Sequence, residues 1–307
     1  MNKLVVLGSV NADHVLQVAS FPRPGETLHG HSYSVIPGGG KGANQAVAAA
    51  RLGADIAFIA SVGDDSFGHK MIEEFKFDGI NTEGVMIEEN TPTGIAMIQV
   101  AATGENSICI SAEANARLTA DRIAPHHGLI EAADTLLMQL ETPIETIEKA
   151  AKIAKAAGTK VVLNPAPAHQ LSDDLLKLVD VITPNETEAE LLTGIEVTDT
   201  LSAQQAANAL HAKGIETVMI TLGSKGVWIS QNGEGRQVEG FRVQATDTTG
   251  AGDTFNGAFL TGLQSGRKLD DAIKFAHAAA AISVTRMGAQ TSIPSLDEVN
   301  AFLLKQE

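Results

Sequence analysis

Short apolar runs alternate with helical stretches along most of this chain, and that rhythm limits the fold more than any other feature. KLVVLGS (3–9) is an unbroken apolar run closed by a glycine turn. ANQAVAAARLG (43–53) then has helical spacing and stops at Gly53, and ADIAFIASVG (54–63) is the next strand. The pattern returns with strand TLLMQLE (135–141), helix PIETIEKAAKIAKAAG (143–158) and strand TKVVLNPAP (159–167). LSDDLLKLV, DVITPNE and TEAELLTG continue it as helix, strand and helix, and SAQQAANALHAKG leads into strand ETVMITLG. Strands separated by helices predict parallel pairing, and strands with so little polar alternation predict cover on both faces. From Asp247 the spacing turns helical, at 252–265, at LDDAIKFAHAAAAISVTRMG and at 296–305.

Two segments break the rhythm. Residues 13–36 hold VLQVAS and LHGHSYSVI around Phe21-Pro-Arg-Pro-Gly-Glu, and 93–112 read TGIAMIQVAATGENSICISA, a hairpin pattern around ATGEN. They predict a small separate sheet serving as a lid or a dimer patch; the other reading is an edge extension of the main sheet.

Acidic residues outnumber basic ones by 37 to 22, for a net charge of −15. That balance speaks against nucleic-acid partners and anionic membrane surfaces, and it forces any phosphate site to rely on local donors or metal. One cysteine, Cys109, rules out an intrachain disulfide and fits a reducing compartment. No apolar run reaches the ~20 residues of a membrane span, and the first run is too short for a signal peptide, so a cytoplasmic location is expected.

Residues 247–259, DTTGAGDTFNGAF, place Gly250-Ala251-Gly252 before Asp253 at a helix start; Phe255, Ala258, Phe259 and Leu263 carry the helical spacing onward. Unpaired amides and glycines at a helix tip suit an anion, most simply a phosphate. Asp253 then needs a reason, since a carboxylate repels phosphate; helix capping is the plain one.

PGGGKGANQA (37–46) is a second glycine cluster before a helix, and its glycines point to close approach of the backbone to a ligand or to another segment. A Walker A loop and a G-x-G-x-x-G turn are both missing, which weakens P-loop and nicotinamide readings. Asn11 and Asp13 follow the first strand and Glu141 ends another, as turn residues or as partners for ligand hydroxyls. Asn185 and Glu188 stand three apart at a helix start, as a capping pair or as a water-mediated magnesium site. TLGSKG (221–226) is a tight turn, or a wrap for a nucleotide's phosphate or ribose, and His277 reads as a packed helical histidine.

GGGKGANQA near one end with DTTGAGDTFNGAF near the other resembles the sugar kinase family that includes ribokinase, fructokinase and adenosine kinase. NAD (11–13), MQLE (138–141), NPAPA (164–168), TPNETEAE and TLGSKGVW extend the likeness over essentially the whole chain. The resemblance implies a single α/β domain over 1–307, a three-layer sandwich around a mostly parallel sheet. A small β-sheet lid from about 13–38 and 93–112 would be shared in a homodimer. It implies transfer of the ATP γ-phosphate to D-ribose at O5; deoxyribose, fructose and adenosine are the alternatives. Asp253 would be the general base and Gly250, Ala251 and Gly252 the anion hole. Asn11, Ala12, Asp13, Gly40, Lys41, Gly42, Ala43, Asn44, Glu141 and Asp253 would face the sugar. Asn185, Glu188, Thr221, Leu222, Gly223, Ser224, Lys225, Gly226, Gly252, Asp253 and His277 would face ATP and its Mg²⁺. Asp247, Thr249, Ser283, Arg286, Gly288 and Ser292 would surround K⁺, many through backbone carbonyls. On this reading Asp253 faces the hydroxyl while the amides face the phosphate, so the repulsion is tolerable.

Overall fold

The structure, a computed structural model, describes residues 3–306; Met1, Asn2 and Glu307 of the expected 1–307 domain lie outside the described residues. Thirteen strands are named in chain order among the described residues: β1 (Leu4–Leu7), β2 (Asn11–Val18), β3 (Ser32–Gly39), β4 (Ile56–Gly63), β5 (Asn81–Glu88), β6 (Gly94–Ala101), β7 (Asn106–Ser111), β8 (Thr135–Met138), β9 (Lys160–Leu163), β10 (Val181–Ile182), β11 (Thr217–Thr221), β12 (Val227–Gln231) and β13 (Glu234–Val238). The helices are α1 (Lys41–Arg51), α2 (Ser66–Phe77), α3 (His127–Glu131), α4 (Ile144–Ala157), α5 (Asp173–Leu176), α6 (Glu186–Thr193), α7 (Thr200–His211), α8 (Ala251–Gln264), α9 (Leu269–Ser283) and α10 (Leu296–Leu304).

Nine strands form the main sheet in the order β13-β12-β11-β10-β9-β8-β1-β4-β5. It is parallel from β11 to β5, and only the β11–β12–β13 edge is antiparallel. Side chains alternate along β1: Leu4 and Val6 enter one core with α1, α8 and α9, while Val5 and Leu7 enter the other with α4 and α7. Both faces are covered, which is why these strands carry no polar alternation. β1 lies between β4 and β8, so the chain winds outward in both directions from it. The carboxyl ends of the strands beside such a reversal are where open α/β sheets leave a crevice.

The second sheet is separate, with order β3-β2-β6-β7, and is not an extension of the main one. Its strands run 11–18, 32–39, 94–101 and 106–111, close to the expected 13–38 and 93–112. Asn11 already belongs to β2, paired to Gly39 on one side and Gly94 on the other, with a bulge between Asn11 and Ala12. Residues 28–31 of LHGHSYSVI lie outside β3.

Several expected strands are shorter than their apolar runs. TLLMQLE pairs only over Thr135–Met138 and DVITPNE only over Val181–Ile182, and LSDDLLKLV makes a single helical turn, Asp173–Leu176. The remainders, 139–141 and 183–185, run past the paired segments, and of these Asn185 makes an isolated bridge to Thr221. α2 and β5 went unread, because β5 is an exposed edge strand with one buried residue and α2 buries only Gly68, Met71 and Phe75.

α8 crosses α1 at Gly257, where a Cβ would lie 2.6 Å from Gln45 O and 2.7 Å from Ala48 Cβ. The helices touch through backbone, so no side-chain rotation relieves that contact. Gly257→Val is expected to lower stability by about 1–3 kcal/mol, read from thermal or urea unfolding.

Candidate active site

Polar residues just beyond β1, β8, β9, β10 and β11 meet the N-termini of α1 and α8 in the crevice. Glu141 Oε2 accepts from Ser9 Oγ at 2.5 Å and from the Lys41 N–H at 2.9 Å. The start of α1 is pressed onto the loop after β1, with the Ala43 N–H on Ser9 O at 2.9 Å. The glycine cluster answers to neighbouring segments. A Cβ on Gly39 would collide with the Asp13 carboxylate, one on Gly40 (φ 89°) would lie 2.9 Å from Ser9 O, and one on Gly42 would lie 2.5 Å from Ser9 N. Ala43, expected to face a sugar, instead buries its side chain in the core, and Ala12 is likewise buried. Asn11 is buried and accepts at Oδ1 from Asn115 Nδ2 at 2.8 Å.

Asp253 stands in the first turn of α8, buried, with both oxygens held by consecutive residues of α1. Asn44 Nδ2 donates to Oδ2 and Gln45 Nε2 to Oδ1, each at 2.9 Å. Burial raises the Asp253 pKa, opposed by the Lys41 ammonium and by those two amides. Asp13 is pushed up to about 7 by burial, then by the Glu141 and Asp253 carboxylates. Burial works against the Lys41 ammonium, yet Asp253, Glu141 and Glu188 outweigh it and hold its pKa above the ordinary value. Three carboxyl groups around one ammonium, with Asp13 beside two of them, suit hydroxyl hydrogens and hard cations, and oppose a bare anion.

The tip of α8 supplies the donors. Gly250 has φ 71°, a left-handed conformation that favours glycine. The Ala251 N–H already donates to Thr248 O at 3.2 Å. The N–H groups of Gly250, Gly252 and Asp253 make no hydrogen bond among the described residues. The amides without a partner are thus offset by one from the expected trio: that of Asp253 is among them and that of Ala251 is not. A Cβ on Gly252 would meet nothing within 4 Å, so neither packing nor φ demands glycine there.

Gly252 opens onto a cavity of about 720 Å³ whose wall includes Thr221, Gly223, Ser224, Lys225, Gly226 and His277, with Phe241, Val243 and Ala280 as apolar surface. TLGSKG is both a hairpin turn between β11 and β12 and part of this wall. Leu222 is not: its side chain is buried in the core and its N–H donates to Gly226 O at 2.8 Å. His277 is more than a packed histidine. Its Nδ1 donates to Glu239 O at 3.0 Å, burial lowers its pKa, and its ring tilts against Phe255 at 5.2 Å. Neutral at pH 7, it adds no cation to the cavity.

Asn185 and Glu188 form a reciprocal capping box at the start of α6, with Glu188 Oε2 accepting from the Asn185 N–H at 2.9 Å. Asn185 also bridges to Thr221, which ties that helix start to the cavity. Burial raises the Glu188 pKa. Asp247 Oδ1 accepts from Thr249 N and Oγ1, at 2.9 and 2.7 Å, and Oδ2 from the Gly288 N–H at 2.8 Å. Burial raises the Asp247 pKa and these bonds more than offset it, leaving it below the ordinary value. The Asp247 N–H reaches Val284 O, so 247–249 and 283–288 form one loop cluster. Ser283 and Ser292 turn their hydroxyls back onto Ala280 O and Ala289 O. The Arg286 guanidinium is committed to Glu298 at 2.5 Å and leaves only its backbone for an ion.

Sequence reasoning missed Ser9, Gln45, Asn115, Gln139 and Asn164. Three of these stood inside quoted motifs, GANQA, MQLE and NPAPA; polar residues amid apolar runs at strand ends were the available signal.

A model of the pfkB family of carbohydrate kinases matches residues 1–296. A protein of Haemophilus influenzae named ribokinase is 57% identical, over 98% of each chain. The crystal structure of ribokinase from Thermotoga maritima is 40% identical with a TM-score of 0.91, covering 99% of this chain and all of that one. The structure of Arabidopsis thaliana ribokinase complexed with ribose and ATP is 33% identical with a TM-score of 0.92, covering 99% of both. On the family match, the sequence identity and the shared two-sheet fold, the chain belongs to the pfkB family of carbohydrate kinases and is a sugar kinase.

Proposed function

We propose that the protein transfers the γ-phosphoryl group of ATP to the 5-hydroxyl of D-ribose. The observation that carries this reading is the Asp253 carboxylate, fixed through both oxygens one residue from a glycine amide that faces an open cavity. The relatives named above support ribose and ATP as the pair. Asp253 accepts the proton of the hydroxyl as that oxygen forms its bond to the γ-phosphorus. The bond from phosphorus to the bridging oxygen breaks, ADP leaves, and the proton resides on Asp253. Unpaired amides of Gly250, Gly252 and Asp253 stabilise charge on the transferring group. Asn11, Asp13, Asn44 and Glu141, with the backbone of 40–42, hold the sugar; Thr221, the 223–226 turn and His277 hold the nucleotide. Lys41 offsets the crowded carboxylates.

The oxygen donors of Asn185 and Glu188 suit a hard divalent ion, and they would hold Mg²⁺ through water. Mg²⁺ would supply neutralisation of the phosphate charge. The oxygen-rich 247–249 and 283–292 cluster fits K⁺, with Asp247, Thr249 and backbone carbonyls as holders and a fixed positive field at the amide tip as its contribution. The small sheet acts as the lid and as a homodimer surface: Ile108 and Ile110 share the face of Asp13, yet are 47% and 48% exposed in a single chain. Its one cysteine suits a cytoplasmic setting. Among the described residues no helix is long and apolar enough to cross a membrane.

Release of ADP measured with ribose, 2-deoxyribose, fructose and adenosine is expected to give the highest kcat/KM with ribose; a higher value for another substrate rejects the assignment, and silence with all four rejects phosphotransfer. The same assay in sodium-only buffer is expected to fall below that in potassium. Gly252→Ala is expected to fold normally yet lose about tenfold in kcat/KM for ATP, because its methyl occupies the approach to the amides.

A further inference from the structure

A chain of side-chain hydrogen bonds crosses the ends of β10, β9 and β8 beneath Asp253. Asn164 Nδ2 donates to Thr183 O at 2.9 Å. A backbone carbonyl only accepts, so this bond fixes which end of the Asn164 amide is which. Asn164 Oδ1 then accepts from Gln45 Nε2 at 3.0 Å, and the same Nε2 donates its other hydrogen to Asp253 Oδ1 at 2.9 Å. Gln45 Oε1 accepts from Gln139 Nε2 at 2.7 Å. Gln45 and Gln139 are both fully buried. Gly8 makes room for Gln139, since a Cβ there would collide with its Oε1. Every polar hydrogen of the Gln45 amide is used, and its orientation is dictated from outside the substrate crevice.

Such a chain is costly to bury, and apolar packing would serve stability as well. Its consequence is directional: Asp253 Oδ1 always meets a donor. We propose that Gln45, oriented by Asn164 and Gln139, is a positioning residue that keeps the Asp253 carboxylate ionised and pointed at the hydroxyl to be phosphorylated. The inference rests on the reading of Asp253 as the base. The charged groups that face Asp253 are Lys41 of α1, Glu141 beyond β8, Asp13 of β2 and Glu188 of α6. Only Lys41 among them favours the ionised form, so the neutral amides of Asn44 and Gln45 supply the rest of the opposition to burial.

The discriminating variant is Gln45→Glu, which keeps the shape and removes the donor. Its carboxyl and that of Asp253 share one proton, so the acidic limb of kcat moves to higher pH. The expected shift is at least one pH unit, with kcat at pH 7 down about tenfold, KM for ATP within about threefold, and activity recovering as pH is raised. Gln45→Met keeps the volume and is expected to shift the limb the same way. A folded variant of either kind with the wild-type limb, or with a loss equal at every pH, overturns the role. In the unaltered protein labelled with ¹⁵N-glutamine, the Gln45 side-chain amide resonances are expected to titrate with the midpoint of that limb. Resonances that stay put across the limb overturn the role even if neither variant folds. Asp253→Asn, assayed alongside, separates the two ideas: normal turnover there removes the base, whereas an inactive Asp253→Asn with an unshifted Gln45→Glu removes only the positioning role.

Discussion

Asp253→Asn is expected to reduce kcat by about 10²–10⁴-fold while the fold and the KM for ribose stay close to wild type. The size follows from the loss of the proposed proton acceptor, with the amide tip and the cavity left in place. The fold survives for a specific reason. The substitution brings an NH₂ group to where two donors now point. Gln45 cannot turn to meet it, because Asn164 and Thr183 hold its amide. Asn44 can, because its Oδ1 is buried and has no hydrogen-bond partner. An Asn44 flip therefore lets the introduced amide donate to Asn44 Oδ1 while it still accepts from Gln45. Steady-state kinetics with a thermal melt of the purified variant checks both halves, and near-normal turnover would remove Asp253 from the chemistry.

At pH 8, where the Asp13 carboxyl is ionised, Asp13→Asn is expected to raise the KM for ribose by about 10²-fold, since hydrogen bonds to a charged group are the stronger ones. The same change is expected to raise the melting temperature at pH 8 by about 2 °C or more. Asp13 keeps its proton in the folded chain up to about pH 7, against ~3.9 unfolded. Between those values the folded state binds more protons than the unfolded state, so its stability contribution is lost as pH rises toward 7. Asparagine carries no such penalty. Melts at pH 5 and pH 8 test this: the gain should appear at pH 8 and shrink at pH 5. Equal gains at both would point to packing instead. The residue proposed to grip the sugar thus stands where the unliganded fold is strained by charge.

Much of this molecule was legible before any coordinates. Val5, Val6 and Leu7 could only be a strand covered on both faces, and Gly158, at φ 84°, ends α4 as its place after an Ala-rich helix requires. Asp253 stood out because an acid beside a glycine-rich helix tip, a setting that suits anions, demands an explanation. Other parts were hidden. The end of a strand is set by where its neighbour stops pairing, so TLLMQLE could not reveal that Met138 is the last paired residue and that Gln139 turns its buried amide onto Gln45. Leu222 and Ala43 sit within motifs whose neighbours face the cavity, yet their own side chains point into the core.

Local chemistry is carried by the sequence itself: period, glycine placement, charge and the order of strands and helices. Those determined a covered parallel sheet, two glycine-rich helix starts and a set of polar residues able to handle hydroxyls and phosphate. Only the tertiary structure decided which of them meet. Asn44 and Gln45 lie more than two hundred positions from Asp253, and their bonds to it exist because α1 and α8 cross at Gly257 with no side chain between them. Hydrogen bonds and pKa values depend on separations of a few ångströms, and sequence distance says nothing about those.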